Sequence, residues 1–182
     1  MRKILLTSTG FENKKFEKLF LSNIEKEVDR IKVIFVPTAA IDDDAKQMLP
    51  KCMDDLLNAG ILPENILTYY LDHLISFDEA KKYDAIYFCG GTPEHLLNEI
   101  NKSGFNFILN KLVDEGMLYI GVSAGSVVAS NEYPNNLGYI DCYVDVHCEN
   151  GSPCGIIESN DDIFLTDNQA IWIFKDVKEI IM

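Results

Sequence analysis

A serine in the segment GVSAGS, residues 121–126, has the surroundings of a catalytic nucleophile. The segment follows an apolar run typical of a buried strand, and a helical pattern comes after it. A sharp turn between strand and helix exposes the central serine, and it requires small neighbours such as Gly121 and Gly125. The N–H groups at the helix start can then stabilise an oxyanion. The pattern predicts that Ser123 is a nucleophile, although small residues at this spacing also serve simply to pack a helix against a strand.

A serine nucleophile needs a base, and the chain offers three histidines. His147 ends an extended run that would carry it back to the edge of the sheet where Ser123 lies. His95 falls in the first turn of the helix that follows Gly90 and Gly91, and His73 lies in a predicted loop. We therefore favour His147 as the base and keep His95 as the alternative.

The base in turn needs a carboxylate that fixes its tautomer. Glu132 follows the nucleophile helix, Asp141 and Asp145 precede His147, and Glu149 comes after it. Asp145 and His147 would share one face of a strand, but side-chain contact at a spacing of two residues is awkward. Spacing alone does not choose between Glu132, Asp141 and Asp145.

The elements that position these residues follow from alternating apolar and helical patterns. Strands are predicted at residues 3–7, 32–36, 66–71, 85–89 and 118–122, and helices at 16–24, 46–59, 76–79, 93–101, 106–115 and 124–130. Beyond residue 134 only short extended pieces are predicted, at 139–147, 163–166 and 170–174. This alternation predicts one α/β domain over residues 1–182, with a mostly parallel sheet covered by helices on both faces. The turn at Gly90-Gly91 and the turn at Gly121 to Gly125 both fall at the carboxyl ends of strands, where such sheets bind ligands.

Composition narrows the possible partners of the chain. The net charge is −13 and no lysine or arginine cluster stands out, so we expect no nucleic acid partner. No apolar run reaches the length that a bilayer requires, so we expect no membrane contact and a cytoplasmic location. The five cysteines are scattered, which favours reduced thiols over disulfides. Cys142, His147 and Cys148 could be drawn as zinc ligands, but no C-x-x-C pair occurs, and we expect neither a metal nor an organic cofactor.

Four segments, in order and spacing, resemble a known family of enzymes. They are YFCGGTPEHLL at 87–97, GVSAGS at 121–126, LGYID at 137–141 followed by His147, and LTDNQAI at 165–171. Together they are similar to the serine peptidase family of dipeptidase E (aspartyl dipeptidase) and cyanophycinase. The resemblance implies a class I glutamine amidotransferase-like fold, in which a mostly parallel sheet lies between two helical layers. It also implies a small peptide as substrate, with no cofactor, and allows a monomer or a homodimer.

The resemblance also implies roles for single residues. Ser123 would be the nucleophile, His147 the general base, and the backbone N–H groups of Gly91 and Ala124 the oxyanion donors. The family's acid lies between the serine and the histidine, at a distance from the histidine that favours Glu132 over Asp141. A preference for an N-terminal aspartate does not carry over, because no basic residue here matches a known pocket position.

Two alternatives to a dipeptidase-like serine peptidase stay open. The chain has no counterpart of the family's third glycine and asparagine near Gly91, and this motivates a binding or regulatory module without hydrolysis. The G-x-S-x-G pattern is also shared with α/β-hydrolase esterases, but the chain is short for that fold and His147 lies far from its carboxyl terminus.

Overall fold

The computed structural model describes residues Met1–Met182 and is built around an eight-stranded sheet. The strands are β1 (Lys3–Thr7), β2 (Val33–Val36), β3 (Ile66–Thr68), β4 (Ala85–Phe88), β5 (Leu118–Val122), β6 (Val144–Asp145), β7 (Gly155–Ile156), β8 (Ile163–Phe164), β9 (Ala170–Phe174) and β10 (Val177–Ile181). The helices are α1 (Lys14–Ser22), α2 (Asp43–Asn58), α3 (Phe77–Ala80), α4 (Pro93–Lys102), α5 (Phe105–Asp114) and α6 (Ala124–Val127).

The strand order in the large sheet is β3-β2-β4-β5-β1-β9-β10-β7. The five strands from β3 to β1 are parallel, as expected where helices connect successive strands, and the last three run antiparallel to their neighbours. The short strands β6 and β8 pair with each other in a separate two-stranded sheet. The predicted mostly parallel sheet is confirmed.

Helices cover both faces of the sheet, and each face has its own apolar core. On one face Phe16 and Phe20 of α1 and Leu56 of α2 pack with strand residues such as Phe35 and Tyr87. On the other face lie apolar residues of α3, α4, α5 and α6, among them Leu97 of α4. Because the central parallel strands are buried on both sides, they read as continuous apolar runs rather than alternating ones. The three-layer α/β arrangement predicted from the sequence is therefore the observed one.

Helix α2 matters for the site and begins earlier than predicted. The sequence pattern indicates a start at Lys46, but the helix begins at Asp43, because the side chain of Asp42 accepts a hydrogen bond from the N–H of Ala45 at 2.8 Å. Pro50 lies inside the helix and has no N–H to donate.

The carboxyl-terminal part differs most from the prediction. The prediction of an extended piece over all of 139–147 is wrong, since only Val144–Asp145 forms a strand there. The strand predicted at 170–174 is confirmed as β9, and its hairpin partner β10 was not predicted. In the sheet Thr7 of β1 lies between Val122 of β5 and Ala170 of β9, so the end of β5 and the segment leading into β9 meet at one edge. None of the helices is both long and apolar enough to span a bilayer.

Candidate active site

Ser123 lies at a strained bend between β5 and α6. Its φ and ψ angles are 49° and −106°, a region that residues with a side chain rarely adopt. Its N–H donates to the carbonyl of Thr7 at 2.9 Å, which extends the β1–β5 ladder to the bend itself. The helix crosses the sheet so closely that a side chain on Gly125 would put Cβ 2.7 Å from Cβ of Phe88. The small residues around Ser123 are thus required by the approach of helix to strand, as the sequence pattern predicted.

The imidazole of His147 reaches Ser123 from a loop 24 residues further along the chain. Its Nε2 lies 3.1 Å from Oγ of Ser123. His147 also has a positive φ, of 60°, and its N–H donates to Oγ of Ser8 at 3.2 Å. Ser8 lies just beyond β1, so the loop that carries His147 is fastened to the strand next to β5. The structure therefore brings the predicted nucleophile and the predicted base together.

The carboxylate that contacts His147 is Asp167, which sequence reasoning missed. Oδ1 of Asp167 lies 2.8 Å from Nδ1 of His147. A carboxylate can only accept, so this contact places the ring proton on Nδ1 and leaves Nε2 free to accept the Ser123 hydroxyl proton. The Asp167 carbonyl also accepts a hydrogen bond from Oγ1 of Thr9 at 3.0 Å, which ties its loop to the end of β1.

None of the carboxylates considered from the sequence takes that position. Glu132 is exposed and forms no hydrogen bond, and Asp141 pairs with Lys178 at 3.4 Å. Oδ1 of Asp145 accepts from the neighbouring N–H of Val146 at 2.9 Å. The carboxylate beside His147 is therefore Asp167 and not Glu132, because the sheet brings the segment before β9, and not the loop after α6, to His147.

A sequence signal for Asp167 did exist. The polar run Thr166-Asp167-Asn168 directly precedes the apolar strand β9. A strand antiparallel to β1 begins at the edge where the parallel strands end, so residues just before such a strand belong to that edge. The carboxylates considered from the sequence lie between residues 132 and 149, and Asp167 lies beyond them.

The other two histidines stay apart from this group. His73 contacts the neighbouring Asp72 on the surface, and His95 on α4 has no hydrogen bond to Ser123. No three His, Cys, Asp or Glu side chains are grouped so that they could hold a metal ion, and this includes the cysteines Cys142 and Cys148 beside His147.

Two backbone N–H groups beside Ser123 have no partner in the protein. They belong to Gly91, in the turn after β4, and to Ala124, the first residue of α6. Ala124 N–H is one of the groups that every helix leaves unpaired at its start. Ala124 follows Ser123 in the chain, and Gly91 and Ser123 line the same cavity, so both N–H groups are candidates for the donors that stabilise negative charge on a carbonyl oxygen under attack.

A cavity of about 160 Å³ opens beside the hydroxyl of Ser123. Its lining includes Gly90, Gly91 and His147 on the sheet side and residues of α2 opposite them. A larger hollow, of about 580 Å³, surrounds Met1 and Lys3 at the opposite edge of the sheet and contains none of the residues described above. The position of the smaller cavity, next to the serine, makes it the place where a substrate would bind.

Comparison with known proteins gives a family match. The sequence model of peptidase family S51 matches residues 4–140. "Uncharacterized peptidase Lmo0363" of Listeria monocytogenes is 30% identical over 142 residues, which are 77% of this chain and 64% of that protein. "Peptidase E" of Shewanella amazonensis is 31% identical over 96 residues, which are 53% of this chain and 39% of that protein.

The curated relatives are longer than this chain. The matches to Lmo0363 and to "Uncharacterized peptidase Lin0382" of Listeria innocua span 64% and 63% of those proteins, which is less than two thirds of each. The family match ends at residue 140, so His147 and Asp167 lie outside it.

Solved structures share the fold. A crystal structure from Listeria monocytogenes EGD-e, provisionally described as a peptidase E, superposes with a TM-score of 0.77 at 22% identity and covers 100% of this chain and 98% of that one. A peptidase from an acI-B1 Actinobacterium superposes with a TM-score of 0.68 at 16% identity, covering 100% and 87% of the two chains.

Proposed function

Since this chain belongs to peptidase family S51, we propose that it is a serine peptidase acting on small peptides, with Ser123, His147 and Asp167 as its catalytic triad. The observation that carries this proposal is the continuous line of contacts from Oγ of Ser123 to Nε2 of His147, at 3.1 Å, and from Nδ1 to Asp167, at 2.8 Å. Both distances are those of hydrogen bonds that can pass and stabilise a proton.

The acylation step follows from the contacts among Ser123, His147 and Asp167. As Oγ of Ser123 forms a bond to the carbonyl carbon of the peptide, its proton moves to Nε2 of His147. The imidazolium that results is stabilised by the carboxylate of Asp167. The carbonyl oxygen becomes an oxyanion, and the free N–H groups of Gly91 and Ala124 supply its donors. His147 then gives its proton to the leaving nitrogen, the C–N bond breaks, and the acyl group stays on Ser123.

Water completes the reaction along the same path. His147 takes a proton from a water molecule, whose oxygen attacks the acyl carbon. The bond to Oγ breaks and Ser123 recovers its proton from His147. No group beyond these side chains and N–H donors is needed for the proton balance.

The size of the cavity indicates how much of the substrate it can receive. About 160 Å³ beside Ser123 is well below the volume of a pocket for a drug-sized ligand, and it leaves room for little more than one residue. We therefore propose that the cavity receives one residue of the substrate, while the choice of small peptides rests on the family resemblance.

Covalent labelling tests the assignment of the nucleophile. A fluorophosphonate probe is expected to add one adduct to the native protein, located by peptide mass spectrometry at Ser123, and none to the Ser123→Ala variant. Ser22→Ala serves as the control, because Ser22 is an exposed serine at the end of α1 whose removal should leave the label at Ser123 unchanged. An unmodified mass at a probe concentration that saturates a known serine hydrolase would overturn the proposal.

Turnover separates a peptidase from a binding module. A dipeptide library is incubated with the wild-type protein and with Ser123→Ala, and free amino acids are quantified. Hydrolysis by the wild type alone is expected. Binding of peptides by both proteins with hydrolysis by neither would instead favour a module that binds without cleaving.

A further inference from the structure

The wall of the cavity opposite Ser123 carries a carboxylate with a free oxygen. Asp55 of α2 lines the cavity, and its Oδ2 accepts hydrogen bonds from the hydroxyl of Tyr87 at 2.6 Å and from the N–H of Phe11 at 2.9 Å. Its Oδ1 has no hydrogen-bond partner and no cation in salt-bridge contact. The side chain is thus held in place through one oxygen, while its other oxygen has no partner in the protein.

The surrounding fold is shaped to keep Asp55 there. Gly10 in the loop after β1 has a φ of +71°, and a Cβ at this position would lie 2.1 Å from Oδ2 of Asp55. The loop therefore accommodates the carboxylate only because residue 10 has no side chain. Burial raises the pKa of Asp55 above its ordinary value, and the hydrogen bonds from Tyr87 and Phe11 and the charges of Lys14 and Lys51 oppose this shift without cancelling it.

No basic group of the protein forms a salt bridge with Asp55: Lys14 and Lys51 lie near enough to attract it, but each is paired with a glutamate instead, Glu17 and Glu12. Lys51, the one cation that lines the cavity, is hydrogen-bonded to Glu12 at the rim. The two arginines, Arg2 and Arg30, precede β1 and β2 and so lie at the amino-terminal edge of the sheet, away from Ser123. A negatively charged side chain entering the cavity would meet a carboxylate and no guanidinium, which is unfavourable.

We propose that this cavity is a subsite for an ammonium group of the substrate and that Asp55 is the counter-ion that binds it. The assignment rests on the proposed peptidase function and specifies its substrate class as peptides with a cationic residue at the scissile carbonyl. The turn of Gly90 and Gly91 lines the same cavity and supplies an oxyanion donor, so the residue that holds the carbonyl is the one placed near Asp55. Met48 and Leu49 on the wall give an aliphatic stem an apolar surface to lie against.

Two ammonium groups have this chemistry, the α-amine of an N-terminal residue and the side chain of a lysine. Fluorogenic aminoacyl coumarin amides distinguish them. Lysyl, norleucyl and aspartyl substrates are compared, each with a free and with an acetylated α-amine. If acetylation reduces cleavage of the lysyl and norleucyl substrates alike, Asp55 binds the α-amine; if acetyl-lysyl is still preferred to acetyl-norleucyl, it binds the side chain.

Substitution of Asp55 by its amide tests the counter-ion. Asp55→Asn keeps the size of the side chain and an oxygen that accepts from Tyr87 and Phe11, but it removes the charge. We expect kcat/KM for the preferred ammonium substrate to fall at least about tenfold, chiefly through KM, and kcat/KM for acetyl-norleucyl to stay within about twofold. Asp54→Asn is the matched control, because Asp54 is the exposed neighbour on the same helix. Equal losses for charged and neutral substrates, or preferred cleavage of the aspartyl substrate, would overturn the proposal.

A binding measurement keeps this test separate from the test of catalysis. Lysinamide and N-acetylnorleucinamide are titrated into the native protein and into Asp55→Asn by calorimetry, which requires no hydrolysis. Selective binding of lysinamide that is lost in Asp55→Asn supports the subsite even if Ser123 proves unreactive. Equal binding of the two ligands by the native protein counts against the subsite even if fluorophosphonate labels Ser123.

Discussion

Ser123 and His147, the two residues that meet over the sheet edge, both have an unusual backbone conformation. Five residues other than glycine have a positive φ, and Ser123 and His147 are two of them. Such conformations persist only where the surrounding structure imposes them, and they cluster at functional sites. Here the ladder bond from Ser123 to Thr7 and the bond from His147 to Ser8 hold both bends against the end of β1. These two hydrogen bonds therefore keep the Ser123 hydroxyl and the His147 imidazole at hydrogen-bond distance despite the strained backbone.

Asp167 is predicted to act by orienting His147. The side chains of His147 and Asp167 are 48% and 56% exposed, so their attraction is screened by water and adds little to folding stability. Its effect should fall on the tautomer of the imidazole. Asp167→Asn is expected to slow fluorophosphonate labelling of Ser123 by about 10²-fold or more, while the melting temperature changes little.

Glu132→Gln provides the comparison for this variant. Glu132 is exposed and has no contact with His147, so its amide variant should label at the wild-type rate. Labelling that is slowed by Glu132→Gln and unaffected by Asp167→Asn would return the role of the acid to Glu132.

Among the elements, α6 has only four residues and depends on bonds to the strands beneath it. The hydroxyl of Ser126 is fully buried and lies 2.8 Å from both the carbonyl of Thr7 on β1 and that of Gly121 on β5. Tyr119 of β5 donates from its hydroxyl to the carbonyl of Gly125 at 2.6 Å. A helix this short cannot hold its own position by propensity, so these side-chain bonds fix the start of α6 and, with it, the bend at Ser123.

Removal of the Ser126 hydroxyl should therefore weaken both the fold and the site. Ser126→Ala is expected to lower the free energy of unfolding by about 1–3 kcal/mol, because a buried hydrogen bond is lost, and to slow labelling of Ser123. Urea denaturation and labelling rates measure the two effects. Ser22→Ala, which removes an exposed hydroxyl at the end of α1, should change neither. A variant at Ser126 that is as stable and as reactive as the wild type would show that α6 is held by its packing alone.

For the molecule as a whole the main electrostatic feature is excess negative charge. The chain has 29 acidic and 16 basic residues, which gives the net charge of −13. The ion pairs that form are mostly exposed, so they offset little of the repulsion. A field of this sign also favours the approach of cationic substrates over anionic ones, in the same direction as the charge of Asp55.

Added salt should stabilise the fold, because it screens the repulsion among the excess negative charges. Between 10 mM and 150 mM NaCl the Debye length falls from about 30 Å to about 8 Å. The melting temperature is expected to rise by about 2–4 °C over this range, equivalent to about 1 kcal/mol for a chain of this size. Glucose at matched osmolality should not reproduce the rise. A melting temperature that falls with salt would mean that attractive ion pairs outweigh the repulsion.

The sequence by itself determined the local features of this protein. The apolar runs of the parallel strands, the helical patterns between them and the small residues around Ser123 are properties of short segments, and each predicts its own structure. The segment GVSAGS specifies a tight bend because only small side chains allow α6 to cross β4 and β5 so closely. His147 could also be selected, because the chain has only three histidines, although the long extended run expected before it is reduced to the strand Val144–Asp145.

Only the tertiary structure decided which carboxylates face the serine. Asp167 reaches His147 because β9 pairs with β1, and Asp55 reaches the cavity because α2 packs over the face that Tyr87 occupies. Both contacts join segments far apart in the chain, and an acidic residue in a loop or on a helix has no local pattern that shows what it will face. Strand pairing and helix packing set those distances, and they depend on the whole chain rather than on the spacing around Ser123.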